Sequence, residues 1–161
     1  MTKRDPECAV RAILFDFGGV VAEEGFVAGL GAVARENNLD PARFLERAID
    51  LVYESGYVTG RSREEFYWHL LREEFGLIQD DAGLRREVVI RFVIRPWMFK
   101  LVDLLRRSGV VVGLLSDQTN WLDEIDAERD VYVHFDRVFH SAKMGLSKRE
   151  EETFRFVAKE L

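Results

Sequence analysis

The segment Ala12-Ile13-Leu14-Phe15-Asp16-Phe17-Gly18-Gly19-Val20 opens on four apolar residues and turns abruptly at a carboxylate and two glycines. With Val10 and Arg11 before it, the run Val10 to Phe15 reads as a buried parallel strand, since strands covered on both faces are near-continuously apolar. Asp16 then stands at the strand's carboxyl end. Gly18 and Gly19 permit a sharp turn and a close approach of backbone to a ligand. A carboxylate so placed can attack phosphorus or carbon, or bind a hard cation. Taken alone, the same pattern equally describes a strand-terminal Asp that caps the following turn. A second apolar run, Val110 to Leu115, repeats the arrangement and leads into Ser116-Asp117-Gln118-Thr119-Asn120. A hydroxyl and free backbone amides there could hold anionic oxygens, although Ser and Asp before Trp121 also suit a helix N-cap. Arg137 to Phe139 is a third, weaker strand.

Between the first two strands the periodicity is helical. Phe26, Leu30 and Val33 share one face. Asp40-Pro41 is an N-cap and first-turn pair opening a helix with Leu45, Ile49, Val52 and Tyr53 inside. Gly56 and Gly60 interrupt. Ser62 and Glu65 form a capping box before Phe66, Leu70 and Leu71, and a further helix covers about 82–92, with Asp80-Asp81 at its N-terminus. Pro96 opens a helix bearing Met98, Leu101, Val102 and Leu105, which ends at Gly109. Ser147 with Glu150 caps a final helix through Phe154 and Val157. This order predicts an α/β protein: a Rossmann-like parallel sheet core, residues 1–22 and 96–161, with a helical cap over 23–95 inserted between the first two strands. Four helices exceed what one crossover needs, and the junctions near Ala22 and Arg95 would be the hinges. Ligands of open parallel sheets bind beyond the carboxyl ends of the strands, so function is expected between the sheet edge and the insert.

Composition narrows the classes. Hydrophobic residues at 47% and only three prolines describe an ordinary globular chain. A net charge of −6 argues against a broad nucleic-acid or anionic-membrane footprint, but a small anionic substrate needs only one or two local cations and backbone amides. Cys8 is the only cysteine, which precludes an intrachain disulfide. Met1 to Ala9 has no signal-peptide core, and no apolar run approaches the ~18 residues of a membrane span. The expected location is cytoplasmic. His69, His134 and His140 show no metal-ligand spacing, and no Ser/His/Asp set is recognisable. Trp68, Phe66 and Tyr67 read as packing within the insert.

Lys148 stands near the start of the last helix, electrostatically the poorer end for a cation, so its placement calls for a reason. Strand–Asp16-Phe17-Gly18-Gly19-Val20, a helical insert, strand–Ser116-Asp117, and then Gly145-Leu146-Ser147-Lys148 together resemble the haloacid dehalogenase-like hydrolase superfamily, in the branch whose cap follows the first motif. The resemblance implies Asp16 as a nucleophile forming a covalent aspartyl intermediate. It implies Ser116 and Asp117 as the phosphate-binding segment and Lys148 as the cation steadying Asp16 and the substrate. Mg²⁺ would be held by Asp16 and the backbone carbonyl of Gly18. The implied activity is a phosphatase on a small phosphorylated metabolite. A catalytically silent binding or regulatory module is the alternative, and a 2-haloacid dehalogenase the third.

Two departures from the family pattern matter. Phosphatase members carry a second Asp, a general acid and base, where this chain has Gly18. Such a group contributes about 10²–10⁴-fold, so the chain should be slow unless another group substitutes. The fourth motif, a strand bearing acidic metal ligands after the lysine, has no counterpart before Leu161. The expectation is a fragment or shortened relative with weak Mg²⁺ binding, and with Val10 to Phe15 as an edge strand open to homodimerisation or other edge-to-edge association.

Overall fold

The computed structural model describes residues 10–161, so Cys8 and the segment Met1 to Ala9 lie outside the described residues. Three parallel strands form one sheet in the order β1-β2-β3: β1 (Ala12–Phe15), β2 (Val111–Ser116) and β3 (Arg137–His140). The register sets Phe15 beside Leu114 and Ser116 beside His140, so Asp16 and Ser116 emerge at the same edge. Between β1 and β2 run α1 (Gly25–Glu36), α2 (Pro41–Glu54), a 3₁₀ turn (Tyr57–Thr59), α3 (Glu64–Phe75), α4 (Asp81–Val89) and α5 (Pro96–Arg107). After β2 come α6 (Trp121–Arg129), a second 3₁₀ turn (Tyr132–His134), β3, the one-turn α7 (Ser141–Met144) and α8 (Glu151–Glu160). Helices lie on both faces of the sheet. Val112 and Leu114 of β2 join the main core, while Leu115, Phe139 and Val157 form a small cluster under α8 on the other face. No helix among the described residues is long and apolar enough to cross a membrane.

Several expectations are refined by tertiary context. β1 is not fully buried: Leu14 is 37% exposed, and among the described residues only β2 pairs with the strand. The Ser62–Glu65 capping box does not form; Arg63 occupies the N-cap and Ser62 Oγ is buried without a partner. The inner face of α3 is Tyr67, Trp68 and Leu71, leaving Phe66 exposed. In α2 the buried residues are Phe44, Ala48, Leu51 and Val52, while Tyr53 packs on the core only in part and Ile49 is half-buried. Asp40 and Asp80 do cap α2 and α4, accepting from Arg43 N and Gly83 N at 2.8 Å each. Ser147 and Glu150 meet at 2.9 Å, but in the turn before α8, and Phe154 on that helix is exposed.

The insert and the sheet share one continuous apolar core. Trp121 on α6 is fully buried and stacks on Trp68 of α3, with centroids 5.7 Å apart, while Tyr57 meets it edge-on at 5.7 Å. Gly60, at φ +69°, lets the insert touch α7: a Cβ there would lie 2.3 Å from the Ala142 carbonyl oxygen. The two crossings between sheet and insert are tied together. Glu23 N donates to Val93 O at 2.8 Å, Arg95 N to Val21 O at 2.9 Å, and the Arg95 guanidinium grips both Glu23 oxygens. Trp121→Ala should therefore lower the unfolding free energy by about 3–5 kcal/mol, the usual cost of deleting a buried aromatic ring. Urea denaturation checks this, and a loss below ~1 kcal/mol would mean that the insert's stability does not depend on that stack.

Candidate functional site

The turn after β1 builds the floor of the site. Phe17 O accepts from Val20 N at 3.3 Å and from Ala22 N at 2.9 Å, and Gly19 takes φ +74°, so the chain doubles back on itself. Asp16 is held from three directions. Phe17 N donates to its Oδ1 at 2.7 Å, Ser116 Oγ approaches the same oxygen at 3.4 Å, and Lys148 Nζ lies 2.8 Å from Oδ2. The three segments singled out in the sequence thus meet at one point. Ser116 is only 1% exposed and its hydroxyl is turned toward Asp16. The Asp117 carboxylate accepts from Lys148 N at 2.9 and 3.0 Å and from Tyr53 Oη at 3.0 Å. It therefore positions the lysine and the facing helix, and only its backbone is left to offer an anion a donor. Lys148 lies in the turn before α8 and not in its first helical turn, with its backbone anchored by one carboxylate and its ammonium by another.

Above Asp16 opens a cavity of about 330 Å³ between sheet and insert. Its polar side carries Asp16, Glu24, Asp117, Lys148 and Arg149, and its apolar wall Phe26, Ile49, Val52 and Val58. Ile49 and Tyr53, read from periodicity as the inner side of the helix, line the cavity, and Tyr53 also packs in part against the core.

Glu24 is the residue that sequence reasoning missed. It sits at the start of α1, and the doubled-back turn returns it to the floor of the cavity. A Cβ built on Gly18 would lie 3.0 and 3.1 Å from its two carboxylate oxygens, so Glu24 fills the space that a side chain at position 18 would occupy. Burial, with the charge of Asp16 next, lifts its carboxyl above the usual carboxylate range. The only signal in the sequence is an acidic pair, Glu23-Glu24, after an apolar turn, and nothing in that spacing says which acid points back. Asp117 is likewise raised, by burial first, and Tyr53 is pushed up to about 12 by burial and by Asp117, which keeps it a neutral donor.

The oxygen donors suit a hard cation, but among the described residues no group of three or more His, Cys, Asp or Glu is placed to hold a metal. What the chain offers is the Asp16 carboxylate and a backbone carbonyl of the glycine turn. That set fits an Mg²⁺ that keeps most of its waters, as this ion commonly does.

No family model matches the chain, and no curated protein matches it. Solved structures do. An HAD family enzyme from Bacteroides thetaiotaomicron superposes with a TM-score of 0.72 at 20% identity, over 94% of this chain and 78% of that one. The same enzyme solved with magnesium and inorganic phosphate gives 0.70 at 20% identity, over 94% and 79%. The L-2-haloacid dehalogenase of Xanthobacter autotrophicus, with chloropropionic acid covalently bound, gives 0.61 at 17% identity, over 95% of this chain and 65% of that one.

Proposed function

We propose that this chain, which has the fold of the haloacid dehalogenase-like superfamily, is a hydrolase that moves a phosphoryl group from a small anionic ester to Asp16 and then to water. The observation that carries the reading is the Asp16–Lys148 pair at 2.8 Å on the floor of a cavity between the sheet and the insert. A carboxylate oxygen of Asp16 attacks phosphorus. The bond to the leaving oxygen breaks, and that oxygen takes a proton from Glu24. A water then attacks the phosphorus of the aspartyl phosphate, giving its proton to Glu24 as the bond between phosphorus and the Asp16 oxygen breaks. One carboxyl thus serves as acid and then as base, and a raised proton affinity suits it to both steps. Lys148 offsets the charge that accumulates on the phosphoryl oxygens. Asp117 acts through its hydrogen bonds to Lys148 and Tyr53, and Ser116 through Asp16.

Asp16 and the Gly18 carbonyl would hold Mg²⁺, which when bound supplies further charge neutralisation at the phosphoryl oxygens. With two protein ligands the binding of Mg²⁺ alone should be weak, in the millimolar range. Titration calorimetry checks this, and a micromolar affinity would reveal a ligand set larger than these two groups.

A second reading is displacement at carbon on a 2-haloacid. The apolar wall of Phe26, Ile49, Val52 and Val58 favours it, because the reacting carbon and its bound halogen are apolar. A panel of phosphate monoesters and 2-haloacids, with and without Mg²⁺, separates the two. Phosphate release that depends on Mg²⁺ is the expected result. Halide release would transfer the assignment to the second reading. Silence on every compound would make the chain a binding module.

A further inference from the structure

Lys148 and Arg149 are adjacent and both line the cavity, but their charges are deployed differently. Lys148 is committed to Asp16. Arg149 has no carboxylate within ion-pair distance among the described residues. Its guanidinium lies over the Tyr53 ring instead, 3.5 Å from the centroid. That ring is fixed in turn, because Tyr53 Oη bonds the Asp117 carboxylate that also holds Lys148 N. The two cations therefore belong to one frame, with a set spacing between them. Stacking occupies the face of a guanidinium and leaves its in-plane N–H donors at the edge, in the fork geometry that matches a carboxylate. Phe26, Ile49, Val52 and Val58 make up the apolar part of the cavity lining. A second phosphate is the poorer match. Asp16 and Asp117 share the cavity with Arg149, and their charges repel a dianion more than a monoanion. The volume, about 330 Å³, is at the small end for ligand pockets.

We propose that Arg149 binds a carboxylate of the substrate, so that the substrate class is a small phosphorylated carboxylic acid with a short aliphatic body. Its phosphoryl group meets Asp16 and Lys148, its carboxylate meets the edge of Arg149, and its carbon chain rests on Ile49 and Val52. The inference rests on the phosphoryl-transfer reading for the position of the reacting end, but the carboxylate contact is a binding contact and is measured without turnover.

The test uses two esters of the same skeleton, 2-phospholactate and isopropyl phosphate, in which a methyl replaces the carboxylate. Both are titrated by calorimetry into the Asp16→Asn protein and into the Asp16→Asn/Arg149→Met double variant. Phospholactate should bind the first about 10–100-fold more tightly than isopropyl phosphate, the range that a charge-assisted hydrogen bond gives. In the double variant the ratio should fall to about one, through loss of phospholactate affinity, and Arg149→Lys in place of methionine should restore part of it. A ratio near one with Arg149 present, a ratio that survives Arg149→Met, or an absence of binding of either ester would overturn the proposal. So would an equal loss for both esters, which would assign Arg149 to holding the insert closed over the site. Arg149 is exposed, so an unchanged thermal melt is expected to show that each variant is folded. The wild-type chain is assayed on the same esters. Failure to release phosphate from either counts against the phosphoryl-transfer reading and leaves the binding ratio to judge Arg149.

Discussion

Asp16→Asn should abolish turnover, lowering kcat by a factor on the order of 10⁴ or more, the scale of loss when a group that acts covalently is removed. Asparagine keeps the shape and can still accept from Phe17 N, which lies 2.7 Å from Oδ1. It loses the nucleophilic charge and the ion pair with Lys148. That pair is 45% exposed on the Asp16 side and 27% on the Lys148 side, so solvent screens it and its loss costs at most about 1 kcal/mol. Removing the charge also relieves repulsion on Glu24 and Asp117, both of which Asp16 pushes upward. The thermal melt should therefore move little while activity vanishes. Phosphate release by the variant at a tenth of the wild-type rate or more would remove Asp16 from the nucleophile's role. A large fall in melting temperature would mean that the activity loss reports unfolding instead.

The second large effect is expected at Glu24. Glu24→Gln should reduce kcat by about 10²–10⁴-fold on esters of poor leaving groups, where proton donation limits the first step. The loss should be much smaller on an activated aryl phosphate, whose leaving oxygen departs without a proton. A purely structural role for Glu24 would slow both substrates alike, so the contrast between them is the diagnostic readout. The geometry supplies a rescue as well. Because the Glu24 carboxylate stands where a side chain at position 18 would go, Gly18→Asp in the wild-type background should crowd it and gain nothing. In the Glu24→Ala background, the aspartate introduced by Gly18→Asp enters vacated space and should recover at least tenfold. Gly18 does not take positive φ, so the backbone accepts the substitution without strain. Glu24→Gln within threefold of wild type on the poor leaving group would sink the assignment.

The elements that position this site were legible because they are local. Val10 to Phe15 and Val110 to Leu115 announced parallel strands by continuous apolar character, and the observed strands differ from them by one or two residues at the ends. Asp40-Pro41 and Asp80 announced helix starts through caps that act within one turn. The order strand, five helices, strand, four of them before Arg95, implied an insert over the strand ends, and Asp16, Ser116 and Lys148 do meet there. What periodicity could not supply was the direction of side chains facing a cavity. Ile49 and Tyr53 of α2 follow the same three-four spacing whether the surface they meet is core or void, and only packing between insert and sheet made them cavity wall. The capping box at Ser62 failed because α3 begins one residue later than that pattern implies, with Arg63 at the N-cap. Glu24 and Arg149 were out of reach for the sequence alone. The role of each depends on a partner distant in the chain: Gly18 and Asp16 across a doubled-back turn for one, Tyr53 on another helix for the other. Hydrophobic pattern and caps determined which segments become strands and helices, since those are short-range free energies. Which polar groups converge, and which of them lack a partner, is a property of three-dimensional closure, and the tertiary structure alone decided it.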